Sequence, residues 1–206
     1  MMFVQFTMLT LLLENQIPFI VLEGIFECTI SKFDQTAILI DVIHAVLEHV
    51  NPFKENKLKR TFSSNTTRHH HHNHHILSLL HQCYEYQDAK SSEFSNSRFP
   101  SAVELDRAGV SFKRARDTEW PLVMEVKLRR FPYFSFSWGK PTLIMPELDI
   151  NDFTELVLRN LIAYEQFSAN VTQYITSYAM AMDMLIDTQE DIAKLVESKV
   201  LVNHIG

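Results

Sequence analysis

The chain has 206 residues, of which 46% are hydrophobic and 21% charged, and a formal net charge of -6. That length allows one substantial core, and the negative balance argues against broad nucleic-acid binding, which needs a dominant cationic field. Only 4 glycines occur, so there is no phosphate-cradling loop and no dinucleotide fingerprint, and the long apolar segments predict a mainly helical fold.

Residues 1–15 read as an apolar helix interrupted by Glu14, Asn15 and Gln16, too short to span a bilayer. Pro18 then suits the first turn of a second helix, where its missing N–H costs nothing. Phe19, Leu22, Phe26 and Ile30 follow at helical spacing. Asp34 is placed to cap a third helix with Leu39, Val42, Ile43, Val46, Leu47 and Val50 inward, closed by Asn51-Pro52. Residues 51–74 are crowded with Lys, Asn, Ser, Thr and His and read as a flexible polar loop. A fourth helix is predicted from Ile76 to about Tyr86, then a second polar loop over residues 88–100. Ser101 and Glu104 have capping-box spacing for a short helix that stops at Gly109.

The middle of the chain changes period. Val110–Lys113, Leu122–Leu128 and Thr142–Met145 are β-rich or alternate apolar with polar residues, which predicts a small antiparallel sheet. Arg114, Arg116, Lys127, Arg129 and Arg130 make only a local basic cluster on it. The aromatic run Phe131, Tyr133, Phe134, Phe136 and Trp138 lies beside it and reads as packing, or else as an exposed interaction loop. Helical period returns with Phe153, Leu156, Val157, Asn160, Leu161 and Tyr164 on one side, and Glu155 and Arg159 paired four residues apart. Another helix is predicted over about 171–186 with Ile175, Tyr178, Ala179, Met182 and Leu185 inward. Thr188 and Asp191 then start a short helix through Glu197.

Two polar insertions in apolar helical runs stand out: Glu14-Asn15-Gln16 before Pro18, and Arg159-Asn160 with Glu165-Gln166. Buried polar groups must find hydrogen-bond partners, so these residues are expected to fix helix packing, either by capping one helix end and bridging to the next or by bonding to each other's helices across the core. The competing reading, a catalytic acid with amide helpers, lacks an evident cleft partner. The tract His69, His70, His71, His72, His74 and His75 has the density of a metal site, yet its polar neighbours offer nothing to hold fixed ligand geometry. His81 and Cys83 follow two positions apart, pointing to different sides of a helix. Cys28 sits on an apolar helix and reads as a core thiol. With only 2 cysteines, no disulfide framework is expected and a reducing compartment is the default. No Gly-x-Ser-x-Gly elbow is present, and no cofactor is expected.

Several segments, in order, resemble the plant family known as domain of unknown function 247. They are Leu12-Leu13-Glu14-Asn15-Gln16-Ile17-Pro18-Phe19, His75-Ile76-Leu77-Ser78-Leu79-Leu80-His81, the passage from Ser101 to Phe112, the run from Glu155 to Gln166, and Tyr174-Ile175-Thr176-Ser177-Tyr178-Ala179 with Met182-Asp183. The resemblance implies no established enzymatic activity, and relatives at the self-incompatibility loci of grasses suggest recognition or signalling. Against the family pattern the chain looks like a single partial domain over residues 1–206, without the usual long amino-terminal region or the hydrophobic carboxy-terminal helix. Membrane attachment would be expected only where that anchor is present, and a cytoplasmic location is expected for the chain as it stands.

The expected architecture is α+β and predominantly α-helical, with helical groups at both ends and the small sheet between them. The expected function is a non-enzymatic module for recognition or signalling through an unknown protein partner. The rivals are a metal-binding histidine loop and an enzyme of unrecognised type.

Overall fold

A computed structural model describes residues 12, 16–33, 38–53, 58, 75–85, 99–116, 118, 120–128, 140–169 and 171–204. The fold is α+β and predominantly helical, and the chain separates into two compact units. The first unit draws on Met1–Pro52, Lys57–Glu85 and Asp152–Gln173, the second on Phe53–Asn56, Tyr86–Asn151 and Tyr174–Gly206. The first helix expected over 1–15, the Asp34 cap, the aromatic run 131–138 and nearly all of both polar loops lie outside the described residues.

The first unit is helical. Helix α1 (Phe19–Cys28) begins directly after Pro18 and buries Phe19 and Phe26. It ends where the Thr29 hydroxyl donates to the Ile25 carbonyl at 2.6 Å. The expected stripe therefore breaks, and Ile30 starts a separate turn, α2 (Ile30–Phe33), as an exposed side chain. Helix α3 (Leu39–Val50) follows an extended Ile38 that supplies no side-chain cap. Ile43, Val46, Leu47 and Val50 are buried as the periodicity requires, but Val42 is exposed at the margin of that stripe. Asn51 turns extended at its end, because the ring of Pro52 disfavours helical backbone in the residue before it. Helix α4 (Ile76–Gln82) is buried along nearly its whole length, and the Asn51 amide oxygen accepts the Tyr84 hydroxyl at 2.8 Å beyond its end.

Elements of the second unit open with α5 (Ala102–Arg107), capped at its start by Ser101 and Glu104 as expected and ended by Gly109 at φ 89°. Strands β1 (Ser111–Arg114), β2 (Glu125–Lys127) and β3 (Thr142–Met145) form a sheet ordered β1-β3-β2. The antiparallel expectation holds for β2 with β3 only. β1 runs parallel to β3, Phe112 opposite Leu143, so the sheet is mixed. A second sheet pairs β4 (Leu148–Ile150) in parallel with β5 (Leu201–Asn203). Such short strands so far apart in sequence leave no local periodicity to read.

Helix α6 (Thr154–Phe167) belongs to the first unit and α7 (Tyr174–Leu185) to the second. Of the inward face expected of α7, Ile175, Tyr178, Met182 and Leu185 are buried and Ala179 is partly covered. Helix α8 (Gln189–Glu197) carries the Thr188–Asp191 capping box. α5 and α8 also share their ending. Val110 N–H reaches Leu105 O and Gly109 N–H reaches Asp106 O, each at 2.9 Å. Val200 reaches Leu195 at 2.9 Å and Lys199 reaches Val196 at 3.0 Å in the same pattern. Both are Schellman closures, which need a left-handed residue, and α8 fills that place with Lys199 at φ 59° instead of glycine.

Candidate functional site

Among the described residues of the first unit, several polar side chains gather around α4. Its first turn leaves backbone N–H groups without helical partners, as every helix does. His75 Nδ1 accepts the Ser78 N–H at 3.2 Å, while the Ser78 hydroxyl oxygen accepts the His75 N–H at 3.1 Å. Gln16 Oε1 accepts the Leu77 N–H at 3.4 Å, and its Nε2 donates to the Leu12 carbonyl. A histidine and a glutamine thus do the work usually given to serine or aspartate.

At the other end of α4, His81 Nε2 lies 2.9 Å from Glu165 Oε1 of α6, with the two side chains 1% and 0% exposed. His81 Nδ1 stands 3.9 Å from the exposed carboxylate of Glu85. The ring of Tyr164 comes within 5.4 Å of the His81 ring and 5.6 Å of the His75 ring. Partial burial raises the Tyr164 phenol above its ordinary pKa; a Ser168 hydrogen bond opposes the rise and the Glu85 charge adds to it. Burial also pushes up the Tyr84 phenol, reinforced by Cys83 and Glu48.

Of the polar residues the sequence singled out, the fold brings Gln16, His75 and Glu165 to this one helix. Pro18 precedes α1, Asn160 donates to Leu156 O one turn back in its own helix at 2.8 Å, and Gln166 is exposed. Arg159 pairs with Glu155 at 3.0 Å on an exposed face, as expected. Glu14, Asn15, His69, His70, His71, His72 and His74 lie outside the described residues. Gln16 and Glu165 each bond to α4, a third helix, whereas Asn160 bonds within α6. His81, which the sequence set beside Cys83 only, takes Glu165 as its partner. A polar side chain closing the apolar run Ile76-Leu77-Ser78-Leu79-Leu80 carried the same signal as Asn160 or Glu165.

An imidazole held by a carboxylate is the arrangement that orients a general base, but here both groups are closed off from solvent. Among the described residues no group of three or more His, Cys, Asp or Glu is placed to hold a metal ion. Cys83 is buried, its thiol donating to Leu79 O at 3.3 Å, whereas Cys28 is exposed. The core role expected for Cys28 is therefore corrected: α1 turns Phe19 and Phe26 inward and Cys28 outward.

In the second unit the notable polar centre is Asp191. Its carboxylate accepts N–H groups of Thr188 at 2.9 Å and Asp187 at 3.2 Å, the Thr188 hydroxyl at 2.8 Å, and the Val103 N–H of α5 at 2.8 Å. One side chain so caps two helices. Desolvation favours its protonated form, but the hydrogen bonds from Val103, Ser101 and Thr188 outweigh that and hold its pKa well below the ordinary aspartate value. An open depression on the three-stranded sheet is lined by Lys113, Lys127, Leu128, Thr142 and Ile144. Of the basic cluster expected on this sheet, Arg114 pairs with Glu147 and Lys127 with Glu125, while Arg129 and Arg130 lie outside the described residues.

Among the described residues no helix is long and apolar enough to cross a membrane. No solved structure matches the chain. UPF0481 protein At3g47200 of Arabidopsis thaliana is 26% identical over 215 residues, covering 95% of this chain and 42% of that protein. Putative UPF0481 protein At3g02645 of the same plant is 35% identical over 106 residues, covering 52% of this chain and 18% of that protein. The chain thus spans less than half the length of these curated relatives. Residues 2–206 match the DUF247 family, described as plant protein of unknown function, and the chain belongs to that family.

Proposed function

We propose that this chain is a non-enzymatic recognition or signalling module that acts through protein–protein contacts. The observation that supports it most is the sealing of the His81–Glu165 pair, the arrangement here closest to catalytic chemistry, at 1% and 0% side-chain exposure. A general base must come within hydrogen-bond reach of a substrate proton. On this reading the pair instead locks α4 to α6, and the biology lies on outer surfaces. Cys28 and Cys83 are not joined in a disulfide, which fits a reducing compartment such as the cytoplasm.

The test is a plant metabolite extract incubated with the purified chain and profiled by mass spectrometry against a buffer control. No chain-dependent conversion is expected. Turnover that disappears in Glu165→Gln, with folding intact by circular dichroism, would overturn the reading.

A further inference from the structure

Helix α1 has a composition at odds with its exposure. Seven of its residues, Phe19, Ile20, Val21, Leu22, Ile25, Phe26 and Cys28, are apolar, but only Phe19 and Phe26 are buried. Ile20, Val21 and Ile25 are 48%, 46% and 53% exposed. At helical spacing these three share one side with Gly24 and Cys28, opposite the two phenylalanines. A helix that is apolar nearly all round is normally covered.

Gly24 carries the argument further. Glycine inside a helix costs about 1 kcal/mol relative to alanine. A Cβ added at Gly24 would meet nothing within 4 Å, so no neighbour among the described residues requires its absence. Glycine at the centre of an exposed apolar face does suit the close approach of another backbone.

Charge narrows the occupant. Glu23 and Glu27 run along one border of this face, and α1 has no Lys or Arg. A helix lying on an anionic bilayer would carry basic residues there. A second copy of this chain would bring the same acidic border and a like net charge of -6.

We propose that this outer face of α1 docks an apolar helix of a partner protein, crossing at Gly24, with Lys or Arg along one edge facing Glu23 and Glu27. The proposal rests on the protein-interaction reading above and names its surface and partner class.

The test uses the full chain and two labelled amphipathic peptides with the same leucine stripe, one edged with lysine and one with glutamate, read by fluorescence anisotropy. The lysine-edged peptide is expected to bind at least about tenfold more tightly. Gly24→Leu should weaken that binding by at least about tenfold, and Glu27→Lys should favour the glutamate-edged peptide. Gly24→Ala, which removes the helix penalty, should raise Tm and show that folding is not what was lost. Equal binding of both peptides, no binding, or indifference to Gly24→Leu would overturn the proposal. So would self-association in sedimentation, or flotation with phosphatidylcholine–phosphatidylserine vesicles, if either is abolished by Gly24→Leu. Each of these would leave the non-enzymatic reading standing, since that falls only to turnover.

Discussion

Glu165 and His81 stand 84 positions apart in the chain, yet their side chains meet at 2.9 Å where solvent does not reach. The contact joins α6 to α4 and leaves neither partner an alternative in water. Removing one member takes a buried hydrogen bond from the other, which costs more than the intact pair contributes. Glu165→Ala is expected to cost about 2–4 kcal/mol in urea unfolding. The double variant His81→Leu/Glu165→Leu should lose less than the sum of the single losses, by about 1 kcal/mol or more. Additive losses would show that the two groups do not act as a pair.

Asp191 should make the stability of the second unit pH-dependent. Its folded pKa is depressed by the hydrogen bonds from Val103, Ser101 and Thr188, which win against desolvation. The stabilisation is therefore fully present above the unfolded aspartate value of about 3.9 and is lost as pH falls below it. Asp191→Asn is expected to cost about 1–3 kcal/mol at pH 7, and the difference from the parent chain should shrink toward pH 3. A difference that stays constant between those pH values would contradict the assignment.

The paired Schellman closures offer opposite substitutions. Gly109 has φ 89° and open space where a Cβ would go, so Gly109→Ala meets only the backbone penalty, about 1 kcal/mol. Lys199 already bears that penalty at φ 59°. Lys199→Gly should raise stability by up to about 1 kcal/mol. Thermal melts of the two variants should shift in opposite directions.

Two buried tyrosines differ in what their hydroxyls do. Tyr84 donates to Asn51 at 2.8 Å, so Tyr84→Phe leaves a buried amide oxygen short of a donor and should cost about 1–2 kcal/mol. The Tyr178 hydroxyl makes no hydrogen bond among the described residues, and its ring meets Phe53 edge-on at 5.1 Å. Tyr178→Phe keeps that ring contact and should be neutral to within about 0.5 kcal/mol or stabilising. Chemical denaturation of both variants distinguishes the two cases.

Local signals were legible where a few neighbouring residues decide the outcome. The Ser101–Glu104 and Thr188–Asp191 boxes, the stop at Gly109, the Asn51-Pro52 ending of α3 and the inward face of α7 all follow from caps, backbone limits and helical period. The extended Ile38 before α3 and the break after Cys28 were less legible, since neither Ile38 nor Thr29 carries a strong boundary signal by itself.

The order of several matching segments was enough to place the family, and the sequence also determined the helical dominance and the need of certain polar residues for partners, because composition, caps and apolar periodicity act over one or two turns. Tertiary structure alone decided who those partners are: Glu165 for His81, Val103 for Asp191, β3 parallel to β1, and β5 for β4. Desolvation tells a buried polar group that it must bond, but only the meeting of distant segments supplies the atom it bonds to.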